Sequence, residues 1–119
     1  MATTYVSSIN NLEEVTFIGG NEFIFSFGVY DSNGSPIDLS ATTPSWAMSY
    51  LGQQDSPVLV KAGVLSGSSP NEFSVTISGI DTIELSGVFI QQPIILDFDG
   101  GTYRPAQGRI IIIPAIQTT

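Results

Sequence analysis

The chain has 119 residues, with 3 basic side chains against 11 acidic ones, no histidine, no cysteine and a net charge of −8. Without histidine there is no imidazole base and no imidazole metal ligand, and without cysteine there is no disulfide, thiolate zinc site or thiol nucleophile. The acidic balance argues against nucleic acid and anionic membrane surfaces, because Lys61, Arg104 and Arg109 form no patch in sequence.

The length suits one domain, residues 1–119, large enough for a core without covalent staples. The first twenty residues lack a basic start and an apolar run, so no signal peptide is expected. The longest apolar stretch, around Ile110 to Ile116, is far short of the roughly 20 residues that span a bilayer, so no membrane insertion is expected. Charged residues make up only 12% of the chain and mean hydropathy is +0.26. A lone soluble domain normally carries about twice that share of charge, which suggests that much of this surface is covered by something else.

The 12 glycines and 7 prolines are spread evenly, and no window between them holds a helical period. β-branched and aromatic residues fill the intervals, so the reading is all-β. Residues 1–13 read as an N-terminal arm or edge strand, with a short strand near 4–8. Residues 14–18 alternate, placing Val15 and Phe17 on one face. Gly19-Gly20-Asn21 turns the chain into the clearest strand, 22–30, with Phe23, Phe25, Phe27 and Val29 on one side. Asn33-Gly34 is a hairpin signal, and 36–39 reads as a short return strand. Residues 45–51 alternate with Trp46, Met48 and Tyr50 together, and 58–62 form another strand in which Lys61 is expected outward and solvated.

Residues 72–78 alternate cleanly, with Phe73, Val75 and Ile77 inward. Residues 81–85 look like one helical turn with Asp81 as N-cap. Residues 88–98 form a long strand, Asp99-Gly100-Gly101 turns it, 109–116 form the last strand, and 117–119 are a tail. The count suits a single-domain antiparallel β-sandwich of immunoglobulin-like size with seven to nine short strands; a small closed barrel is the other option.

Two strands depart from alternation. Residues 110–113 are four isoleucines, and Val88-Phe89-Ile90 and Ile94-Ile95-Leu96 are apolar on both faces. An antiparallel sandwich normally wets one face of each strand, so these need cover from loops, from the N-terminal segment or from a neighbouring subunit. Phe89, Ile94, Ile110 and Ile112 are the expected interface residues, with the register left open because a one-residue slip swaps the faces.

Candidates for chemistry are few. Asp97 and Asp99 share one face of a strand end and are weak calcium candidates, but they lack a twelve-residue loop with a terminal glutamate, and Asp-Gly is an ordinary turn. No raised acid stands beside a nucleophile, so neither catalysis nor a cofactor is expected. Trp46, Tyr50, Tyr30 and Tyr103 could stack on sugars, although a tryptophan beside Met48 reads as core. Arg104 and Arg109 flank the 105–108 turn, within reach of Asp97, Asp99 or a partner's acid.

From Asn21 to Ile116 the order of features resembles the N-terminal domain of phage baseplate upper proteins and related immunoglobulin-like phage virion modules. The residues that carry this are DSNGSPIDLS (31–40), SWAMSYLG (45–52), FSVTISGIDTIELSG (73–87) and DFDGGTYRPAQGRIIIIP (97–114). The resemblance implies a β-sandwich that docks onto a phage tail or capsid. Such proteins continue into helical and receptor-binding parts with no counterpart here. What it implies is therefore a short adaptor, decoration or tail-completion subunit, made in the host cytoplasm, placed in the virion, and bound to itself or to other virion proteins. A carbohydrate-binding or adhesin module, using Trp46, Tyr50 or Tyr103 with Asp97 and Asp99, is the alternative, and a small glycosidase-like enzyme a weaker third.

Overall fold

The computed structural model describes residues 2–6, 12–31, 33–98 and 100–116. Ten strands form two sheets: β1 (Ala2–Val6), β2 (Val15–Ile18), β3 (Phe23–Val29), β4 (Thr43–Tyr50), β5 (Leu59–Ala62), β6 (Val64–Leu65), β7 (Glu72–Ile77), β8 (Gly87–Phe98), β9 (Gly101–Tyr103) and β10 (Gly108–Ile113). The smaller sheet runs β1-β3-β7-β6 and the larger runs β2-β10-β8-β4-β5, with β9 added along β8. The all-β sandwich is therefore as the alternation indicates.

The core lies where the alternating faces meet. Phe25, Phe27, Val29, Phe73, Val75 and Ile77 come from the smaller sheet, and Trp46, Met48, Phe89, Ile95, Ile110 and Ile112 from the larger; all are buried. Each such side chain removed from water stabilises the fold by roughly 1.5–3 kcal/mol. Aromatic contacts run between and within the layers: Phe25 of the smaller sheet stacks on Trp46 of the larger with ring centroids 5.6 Å apart, and within the smaller sheet Phe27 stacks on Phe73 at 5.1 Å.

Four details differ from the sequence reading. Two strand pairs are parallel, β1 with β3 and β2 with β10, each at one edge of its sheet. Residues 36–39 form only a bridge, Pro36 with Tyr30, not a strand. The single helical turn is α1 (Gly79–Thr82), so Asp81 is not its N-cap. Ser78 is the N-cap, and its backbone N–H and hydroxyl donate to Asp81 Oδ2 at 2.9 and 3.0 Å. Strand count rises to ten because the two-residue β6 and three-residue β9 are too short to show a period.

Gly79 is required at α1. A methyl group there would run into the carbonyl of Gly20, so the turn before β3 and the helical turn pack backbone to backbone. No helix among the described residues is long and apolar enough to cross a membrane.

Candidate functional site

The strand pairing decides what faces outward on the larger sheet. Ile110 and Ile112 are fully buried on β10, so Arg109, Ile111 and Ile113 project from the other face. The same rule turns Val88, Ile90, Gln92, Ile94 and Leu96 outward from β8, opposite buried Phe89, Gln91 and Ile95. Of the four residues expected at contacts, the structure therefore puts Phe89, Ile110 and Ile112 inside the sandwich and only Ile94 on its outer face. Both faces of these strands are apolar because one fills the core and the other forms a surface.

That surface has two parts. The first is an aliphatic patch. Ile18 pairs with Ile113, Ile111 with Val88, and the Leu51 N–H bonds the Val88 carbonyl, so these five side chains are neighbours. Ile18, Leu51 and Ile113 are each nearly half exposed, at 49%, 48% and 45%. No loop of the described residues covers them.

The second part is a groove of about 250 Å³ over the middle of β4 and β8. Its floor is Ala47, Ser49, Ile90, Gln92 and Ile94, one wall is the loop carrying Gln54 and Pro57, and the other carries Arg104 and Gln107. The second wall has a local cause. The β10 ladder leaves β8 at Gln91, and β9 joins it only at Ile95. Pro93 sits in that gap with no N–H to offer a strand. The chain between β9 and β10 therefore crosses as a loop, anchored by Gln107 Nε2 donating to Gln92 Oε1 at 2.8 Å.

The three cations are placed very differently. Lys61 is opposite Trp46 on the inner face of β5, not outward as expected. Because β5 is a sheet edge, the ammonium reaches the rim of the sandwich and bonds Asp81 Oδ2 at 2.8 Å. Arg109 lies 3.9 Å from Glu14. Arg104 lines the groove, and no described carboxylate is within ion-pair distance of it.

Burial pushes the Asp81 carboxyl up, but the Lys61 ammonium and the two Ser78 donors outweigh it and hold it below its ordinary value of 3.8. A lowered folded pKa means that the stabilisation is complete above the unfolded value and is lost as pH falls through the folded one. Asp81→Asn is expected to lower stability by about 1 kcal/mol at neutral pH. In urea melts at a series of pH values the gap to the wild type should close below 3.8. A gap that is unchanged in acid would mean that Asp81 acts there without its charge.

The remaining candidates are dispersed. Asp97 is exposed, with φ at 65°, beside an irregularity in the β8–β9 pairing, and Asp99 lies outside the described residues. No group of three acidic side chains among the described residues is close enough to hold a metal. Trp46 is enclosed and offers no face to a sugar, and the Tyr50 ring lies against Phe89 with centroids 4.5 Å apart. Sequence reasoning missed the groove, since its walls are loops brought together by pairing. Pro93 within an apolar strand was the one signal that the ladder breaks there.

Neither a protein-family model nor a curated protein matches this sequence.

Proposed function

We propose that this chain is a non-enzymatic structural subunit of a phage particle that works by protein–protein assembly, with copies of itself and with other virion proteins. The observation that carries the reading is the aliphatic patch on the outer face of the larger sheet, formed by Ile18, Leu51, Val88, Ile111 and Ile113. A sheet face of this kind exposed to water is unfavourable, and burying it against a partner has little desolvation to overcome along β10, whose one charged residue, Arg109, lies near Glu14. The order of features shared with immunoglobulin-like virion modules supplies the particle, and the patch supplies the contact.

Light scattering and sedimentation across a wide concentration range test this. The wild type should associate, whereas Leu51→Asp and Ile113→Asp, both about half exposed, should remain folded, melting within several degrees of the wild type, and stay monomeric. A wild type that is monomeric throughout and binds no hydrophobic dye would remove the self-assembly reading.

A further inference from the structure

We propose that the walled groove beside the aliphatic patch takes an extended acidic segment of a partner protein, seating one carboxylate side chain against Arg104 and its aliphatic neighbours on the floor. The inference rests on the assembly reading and gives the partner's chemistry at one point of the same sheet face. Three observations carry it.

Charge is the first. In a chain of 11 acidic and 3 basic residues, a depression meets an acid more often than a base. This one is lined by none and by one of the three cations. The other two cations have carboxylates of their own, Asp81 for Lys61 and Glu14 for Arg109. Arg104 is exposed and has no described carboxylate partner, so its planar fork is open to a two-point bond with an incoming carboxylate.

The second observation is the arrangement of hydrogen-bond groups. Gln107 Nε2 is spent on Gln92 Oε1, which fixes the Gln92 amide with its Nε2 still able to donate. Arg104 and Gln92 thus offer donors from the same side of the groove. On the floor Ala47, Ile90 and Ile94 suit methyl groups, and the Ser49 hydroxyl beside Ile90 adds one more polar group.

The third is shape. Residues of two loops, Gln54 and Pro57 on one and Arg104 and Gln107 on the other, line the depression on either side of its floor. The volume of about 250 Å³ lies below the roughly 300–1,000 Å³ of sites for drug-sized molecules. An inserted run of one or two side chains fits both limits. No aromatic ring lines the floor, which disfavours an acidic sugar.

The test is an amide-shift titration of the full chain by NMR with the blocked peptide Ala-Val-Glu-Val-Ala, its Gln counterpart and trigalacturonate. The Glu peptide is expected to shift the amides of Ala47, Ser49 and Gln92 and to bind roughly tenfold tighter than the Gln peptide, the gain of one charge-assisted pair. Arg104→Gln, at an exposed position, should erase that preference while keeping the fold. Leu51→Asp and Ile113→Asp should bind the Glu peptide as the wild type does. Equal binding of the two peptides, no shift with either, or tighter binding of trigalacturonate overturns the proposal. If the chain stays monomeric yet prefers the Glu peptide, the self-assembly reading falls and this one stands. If it associates through the patch without that preference, the reverse holds.

Discussion

Ile112→Asp is expected to abolish the folded state, and Ile113→Asp to leave it intact. The two residues are adjacent on β10 and chemically identical, but Ile112 is 1% exposed and Ile113 is 45% exposed. At Ile112 the change loses the packing of an aliphatic side chain, roughly 2–5 kcal/mol. It also places a carboxyl among apolar groups with no donor, which adds several kcal/mol whether the group ionises or stays protonated. The sum reaches the about 5–15 kcal/mol that holds a typical domain together. At Ile113 the carboxylate points to water, and the change is about 1 kcal/mol of strand preference. Far-UV circular dichroism and thermal melting separate the cases. A folded Ile112→Asp beside an unfolded Ile113→Asp would mean that the β10 register is displaced by one residue.

That pair also marks the limit of what the sequence discloses. Where apolar and polar residues alternate, the inward face was legible: Phe25, Phe27 and Val29 on β3, Trp46 and Met48 on β4, and Phe73, Val75 and Ile77 on β7 are all buried as the pattern requires. Through four isoleucines the period-2 signal vanishes, and only pairing fixes the face. Ile110 pairs with Phe89 and Val15, and those partners carry it inward. Direction was equally hidden, because alternation is the same in parallel and antiparallel strands. The parallel edges β1 and β2 therefore carry no mark in the sequence.

The site was less legible than the fold. The aliphatic excess in the last two long strands was visible as an excess, but its division into core and patch was not. Arg104 stood out as one of three cations, yet nothing local shows that it would face Gln54 and Pro57, about fifty residues earlier, across a groove. Lys61 misled for the opposite reason. Alternation places it on the inner face, where a charge is unwelcome, and only the position of β5 at a sheet edge lets the ammonium escape to Asp81.

Trp46→Ala is the other change expected to have a large effect, and its partner makes the outcome diagnostic. Trp46 lies on β4 and meets Phe25 on β3 through an aromatic stack and Gln91 on β8 through a buried hydrogen bond, Trp46 Nε1 donating to Gln91 Oε1 at 2.9 Å. Gln91 is completely buried and its Nε2 has no partner, so the indole is the only group that satisfies the amide. Removing the indole loses about 3–5 kcal/mol of packing and leaves the amide wholly unsatisfied, a further 1–3 kcal/mol. The melting temperature should fall by roughly 15–25 °C, if a transition survives. Gln91→Leu should then act with opposite signs in two backgrounds. In the wild type it destabilises, because the indole N–H is buried without an acceptor. In Trp46→Ala it recovers about 1–2 kcal/mol, because an amide with no partner is replaced by a side chain that needs none. Urea denaturation of the four proteins in a double-mutant cycle reads the difference directly. Equal effects of Gln91→Leu in both backgrounds would show that the bond between Trp46 and Gln91 contributes nothing to the fold.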